Sequence, residues 1–160
     1  MKKIVWIGLF AVSASVLSFA FVTGSSAGSS EKTLTFINRP LNETGFDIDG
    51  DQNLTPADGW VANSELLKGG DVVGRLVTSC QYVQVRADGM GGVLQCVGTA
   101  KLPGGQIAVQ SRQVLVEGKT TSADAAITGG TGDYSTARGY VRSEAIPGSM
   151  NARITVHLVS

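Results

Sequence analysis

Ile127-Thr-Gly-Gly-Thr-Gly-Asp-Tyr-Ser-Thr-Ala-Arg-Gly-Tyr-Val141 is the stretch that decides the fold. Glycine adopts positive φ without steric cost. Gly129, Gly130 and Gly132, with Thr131 among them, therefore read as a tight turn between two antiparallel strands, the second starting at Tyr134. A glycine-rich loop also suggests a phosphate cradle. That reading needs Lys-Ser/Thr after the last glycine, or Gly-x-Gly-x-x-Gly opening a helix. Here Asp133 follows and would repel a phosphate, and β-formers rather than a helix come next. The phosphate reading is excluded.

Outward from this turn the chain alternates β-type runs with turn chemistry. Strands are expected at Thr33–Asn38, Gly59–Leu67, Val72–Arg86, Val93–Lys101, Gly105–Glu117, Ser122–Thr128, Tyr134–Glu144 and Ala152–Val159. Arg39–Asp58, polar and carrying Pro40, Gly45, Gly50 and Pro56, reads as a long loop. The other separators, among them Lys68-Gly-Gly-Asp71 and Pro103-Gly104, are too short for a parallel crossover, so successive strands should pair antiparallel. Eight strands and no helix leave two all-β options, a closed up-and-down barrel or a two-sheet sandwich. Periodicity does not choose between them.

The N-terminus is organised differently. Lys2-Lys3, an apolar run over Ile4–Val22 and small residues at Ser25-Ser26-Ala27 read as a signal peptide, residues 1–27, cleaved after Ala27. An uncleaved membrane anchor is the alternative. Residues 28–32 form a small, polar lead-in, and residues 33–160 a single domain. Cleavage leaves 160 − 27 = 133 residues with charge 11 − 13 = −2, without the basic excess that a nucleic-acid partner requires. The expectation is a secreted, extracellular protein that does not sit in a membrane once processed.

In an exported chain, Cys80 and Cys96 read as a disulfide, since each lies eight residues from Asp88 at a hairpin tip, with a pair of buried free thiols as the alternative. Asp47-Ile-Asp-Gly-Asp-Gln-Asn-Leu-Thr-Pro-Ala-Asp58 places Asp47, Asp49, Asp51, Asn53, Thr55 and Asp58 where an EF-hand loop has calcium ligands. Gln52 stands where that loop needs glycine, and no helix flanks it, so a solvated loop is the plainer reading. His157, the only histidine, falls on the polar side of the last strand, opposite Ile154, Val156 and Leu158. With one histidine and paired cysteines, no nucleophile-and-base set can be assembled. Any catalysis would have to be by holding and polarising a ligand.

The Gly-Gly-Thr-Gly-Asp-Tyr-Ser-Thr-Ala-Arg-Gly run resembles the one near the C-terminus of dirigent proteins and of allene oxide cyclase-like barrels, including secreted bacterial members. Asp49-Gly-Asp51, Val73-Gly-Arg75, Cys80, Cys96 and Leu102-Pro-Gly-Gly-Gln-Ile107 are similar to earlier pieces of the bacterial version, in the same order from Leu34 to Val159. The resemblance implies an eight-stranded antiparallel up-and-down β-barrel rather than a sandwich. It implies a small, mainly apolar organic ligand in the lumen, steered through a stereoselective coupling or an isomerase-type cyclisation, with no cofactor. Asp133 and Arg138 become the candidate catalytic residues, and Arg75, Tyr82 and Tyr134 the candidate ligand-binding ones; Tyr82 shares strand parity with Leu76 and Cys80. Gly129, Gly130, Thr131, Gly132 and Gly139 shape the motif. A homo-oligomer is a further implication, since such barrels often associate through their outer faces. The competing reading is a secreted, non-catalytic carrier or recognition barrel, with or without weak calcium binding. A lumen open and lined by Arg, Asp or Tyr would favour the first, one filled by Leu, Val and Phe the second.

Overall fold

A computed structural model describes residues 31–116 and 122–159. The proposed signal peptide and the start of the lead-in lie outside these residues. Eight strands follow in order: β1 Glu31–Phe46, β2 Gly59–Lys68, β3 Asp71–Val85, β4 Gly91–Leu102, β5 Gly105–Val116, β6 Ser122–Gly132, β7 Gly139–Ala145 and β8 Ala152–Val159. Each pairs antiparallel with the next, and β1 pairs with β8, so the sheet closes into a barrel. The closing seam sets Leu34 opposite Val156 and Phe36 opposite Ile154. Closure removes the exposed edges that an open eight-stranded sheet would carry.

Two expectations change. Arg39–Phe46 is not loop but the second half of β1, paired with β2 down to Phe46 opposite Gly59. The register shifts between Pro40 and Asn42, leaving Leu41 as the extra residue of a bulge. A bulge is where a strand tolerates proline, which has no N–H for the ladder, and the broken alternation hides the strand in the sequence. The glycine run is also strand rather than turn. Gly129, Gly130, Thr131 and Gly132 pair with Ala108, Ile107, Gln106 and Gly105 of β5, and the turn itself is 133–138, so Tyr134 precedes β7 instead of opening it.

Gly130 and Gly132 serve close backbone approach, whereas a Cβ on Gly129 would meet open space. A Cβ on Gly130 would collide with the Tyr134 carbonyl oxygen and lie 2.6 Å from that of Gln106, atoms that cannot swing aside. Only Gly132, at φ +60, sits where the turn itself demands a left-handed residue. Two-residue glycine chemistry does make the β2–β3 hairpin, where Gly69 and Gly70 have φ +64 and +98 between paired Lys68 and Asp71.

Alternation sorts the side chains into an inner and an outer face. Toward the end that carries the β2–β3, β4–β5 and β6–β7 turns, Phe36, Leu66, Leu102, Ile107, Ile154 and Val156 form one buried cluster. Toward the other end, Tyr82, Leu94 and the Cys80–Cys96 disulfide form a second, with Trp60 and Leu54 packed against it. Cys80 and Cys96 are directly opposed across β3 and β4 with Cα atoms 4.1 Å apart, as the hairpin spacing predicts.

Two stability measurements test these assignments. Gly130→Ala is expected to cost about 2 kcal/mol or more in urea unfolding, because backbone must move. Gly45→Ala, whose Cβ meets only an ordinary 3.7 Å contact, should cost far less. Removing the bridge as Cys80→Ala with Cys96→Ala should cost roughly 2–4 kcal/mol while keeping the far-ultraviolet β spectrum.

Candidate ligand-binding lumen

Small residues leave the middle of the barrel unfilled. On the inner face, Gly98 and Ala100 of β4 and Ala123 and Ala125 of β6 stand where bulkier residues would meet across the axis. The space between them is a cavity of about 210 Å³. Its walls are mostly apolar: Phe36, Leu66, Leu102, Ile107, Ile154 and Val156 line it along with the small residues. Five neutral polar side chains join them, Asn38, Thr78, Ser111, Gln113 and Ser143. Gln113 Nε2 donates to Ser111 Oγ at 3.2 Å, so this pair satisfies part of its own hydrogen bonding. Cys96 of the disulfide also faces the cavity.

No acid, base or tyrosine belongs to the described lining. The cavity walls therefore offer no group to take or give a proton near neutral pH. They offer shape, apolar contact and a few neutral hydrogen-bonding groups. One end is closed by aromatic packing, with Trp60 and Tyr82 edge-to-face at a centroid distance of 6.0 Å. Tyr82 is inward, as its strand parity predicts, and burial raises its phenol above the usual value. It packs into this closing layer and is not part of the cavity lining.

The other sequence candidates fall elsewhere. Asp133 and Arg138 are both exposed in the β6–β7 turn, outside the cavity lining. Their backbones brace the barrel rim: Asp133 N–H donates to Gly104 O at 2.9 Å, and Arg138 O accepts from Val159 N–H at 2.9 Å. Tyr134 packs against the first cluster and donates its hydroxyl to Pro103 O at 3.3 Å, tying the β6–β7 turn to the β4–β5 turn. Gly139, at φ +125, runs against the His157 carbonyl oxygen where a Cβ would clash. The signature motif thus builds the rim and not the cavity. Arg75 stands on the outer face, its side chain 65% exposed and 3.6 Å from Glu65, which Arg39 also contacts. It points away from the lumen because Glu65, its β2 partner, alternates with inward Ser64 and Leu66.

The Asp-rich loop is partly assembled. Carboxylate oxygens of Asp47, Asp49 and Asp58 lie within 4.8 Å of one another. Asp58 is buried and accepts from Ile48 N–H at 2.9 Å, Thr55 N–H at 2.7 Å and Thr55 Oγ1 at 3.0 Å. Those hydrogen bonds hold its carboxyl below the usual range, the Ile48 amide contributing most. Thr55 Oγ1 also lies 3.0 Å from Asp49 Oδ2. Asp51 turns back on Asn53 N–H at 2.8 Å, which lowers its own carboxyl. Gln52 adopts φ +64, the conformation glycine would have supplied. The loop is ordered by its own carboxylates and closes one end beside Leu54.

Sequence reasoning missed the polar lining residues Asn38, Thr78, Ser111, Gln113 and Ser143. Strand parity could have found them, because each shares the inner face with an apolar residue two positions away, as Asn38 does with Phe36, Thr78 with Leu76, Ser111 with Val109, Gln113 with Leu115 and Ser143 with Val141.

No protein-family profile matches the chain, and no curated protein sequence matches it. Solved structures do. A pyocyanin demethylase superposes with a TM-score of 0.67 at 23% identity, covering 79% of this chain and 99% of its own. The pterocarpan synthase dirigent protein PsPTS1 gives 0.59 at 15% identity over 81% and 94%. AbnU, an exo-specific intermolecular Diels–Alderase, gives 0.57 at 10% identity over 82% and 99%. The chain therefore has the closed barrel shared by dirigent proteins and cyclase-type barrels. At these identities the likeness is one of fold.

The Asp58 geometry carries a pH signature. Its folded-state acidity is stronger than in the unfolded chain, so its stabilisation is present above the ordinary carboxylate range. It is lost as pH falls through the folded value. Thermal midpoints followed from about pH 6 down to about pH 2 should show an acid step that Asp58→Asn diminishes, with a lower plateau above about pH 4.

Proposed function

We propose that this chain is an exported barrel that takes one small, mainly apolar organic molecule into its lumen and imposes a single geometry on it. The observation that carries the reading is a cavity of about 210 Å³ inside a closed barrel, walled by apolar and neutral polar side chains. An apolar cavity of roughly 150 Å³ accommodates benzene, so this one suits a molecule of one or two rings. With no proton-transfer group in the described lining, the chemistry open to such a site is confinement. A bound intermediate is held folded or oriented so that one stereochemical course of a cyclisation or coupling is favoured. Asp133 and Arg138 lie outside the lining, and in this reading they maintain the rim. Export agrees with the apolar, small-residue N-terminus and with the Cys80–Cys96 disulfide, which suits an oxidising compartment.

A carrier without chemistry is the second reading, favoured by the same neutral walls. The two differ in the fate of the guest: a carrier returns it unchanged, whereas a steering barrel biases the product of a reactive guest.

Ala125→Phe places a ring in the cavity from the β6 wall. Binding of 1-naphthylamine, an uncharged two-ring fluorophore whose emission shifts to the blue in apolar surroundings, should weaken at least about tenfold in that variant. Wild-type-like circular dichroism would show that the barrel persists. Equal binding by wild type and Ala125→Phe would move the ligand out of the lumen and end the proposal.

A further inference from the structure

Among the described residues, one buried side-chain polar atom lacks a hydrogen-bond partner: Asn38 Oδ1. The residue lines the central cavity from β1, two positions along from Phe36 on the same inner face. Buried carbonyl oxygens are nearly always paired, because leaving one without a donor is a net cost to the fold. Two other polar wall residues differ, since Gln113 donates to Ser111. An apolar residue would fit the Asn38 position as well as its neighbours do. The unmet acceptor thus belongs to a residue of the cavity wall.

We propose that Asn38 reads the ligand. The molecule that fits this lumen is neutral and of one or two rings, and it bears a hydroxyl or N–H donor that the Asn38 carboxamide oxygen accepts. This rests on the lumen-binding reading above and gives it a ligand class. The last side-chain torsion of asparagine is broad, so a modest rotation turns the oxygen toward a guest without moving β1. Charge is excluded from the guest by the same walls: no ionisable side chain of the described lining would pair it, and burying an unpaired ion is prohibitively unfavourable. One polar contact in an apolar cavity also provides orientation. A ring system anchored at a single hydroxyl by β1 is fixed at one point, and the shape of the wall that includes Ala123 and Ala125 of β6 limits how it can turn about that point.

The test compares 2-naphthol with 2-methoxynaphthalene, which have the same rings with and without the donor, by intrinsic ligand fluorescence near neutral pH where both are uncharged. Wild type should bind the naphthol about tenfold more tightly. Asn38→Leu, a near-isosteric apolar replacement, should bind the methoxy compound at least as well as wild type and lose the preference. Its thermal midpoint should be unchanged or higher, since an unpaired polar atom is removed. Thr78→Val, another change in the cavity wall, should keep the preference. Equal wild-type affinity for the two compounds would overturn the role of Asn38 while leaving lumen binding intact. So would a preference that follows Thr78 instead. A markedly destabilised Asn38→Leu would show that the amide is a structural group and overturn the inference as well. Failure of both compounds to bind, with 1-naphthylamine insensitive to Ala125→Phe, would remove the lumen reading itself.

Discussion

Pairing of β1 with β8 is the constraint on which the rest depends. Eight strands in sequence order leave two edges, and each edge exposes a row of backbone donors and acceptors. Joining Leu34–Asn38 to Ala152–Val156 satisfies both rows at once and turns a sheet into a container. Every inward residue is then committed to a shared interior whose size is set by side-chain volume. Large residues near the two ends, Leu66, Leu102 and Ile107 in one layer and Tyr82, Leu94 and Trp60 in the other, pack against one another. Glycine and alanine in the middle leave room.

The same closure explains the glycine-rich signature. Its residues resemble a loop motif, yet they form the end of a strand whose backbone passes unusually near its neighbours. Gly105 and Gly132 face each other across β5 and β6, and a Cβ on either would strike the opposite backbone. The rim is then tightened by backbone and tyrosine hydrogen bonds from the β6–β7 turn to the β4–β5 turn. Motif and cavity are separate features, one securing the rim and the other set by the volumes of the inward side chains. Charged groups follow the same division, with Arg39, Glu65 and Arg75 in a row across the outer face of β1, β2 and β3.

Much of the fold was legible because it depends on local chemistry. Turn residues at Gly69-Gly70 and Pro103-Gly104, the clean alternation of Ala152–Leu158 and the symmetric placement of Cys80 and Cys96 each act over a few residues. The strand hidden in Arg39–Phe46 was not legible, because a bulge at Leu41 and a proline erase the two-residue period there. The site was less legible than the fold. Tyr82 was assigned inward by parity, correctly, but parity does not distinguish a residue that lines a space from one that plugs its end. Asp133 and Arg138 drew attention through their charge and their motif. The described lining of the lumen is instead neutral, and a polar residue such as Asn38 in an otherwise apolar alternation is a faint signal.

Strand number, antiparallel order, the disulfide pairing and the resemblance to a barrel family were determined by the sequence alone, since spacing and turn type bound how far successive strands can part. Which residues meet across the axis was decided only by the tertiary structure. Positions distant in the chain, Asn38, Gly98 and Ala125 among them, come to line one cavity only after β1 and β8 have closed the sheet. A void is a property of what several strands jointly fail to fill, and no local pattern in one strand records it.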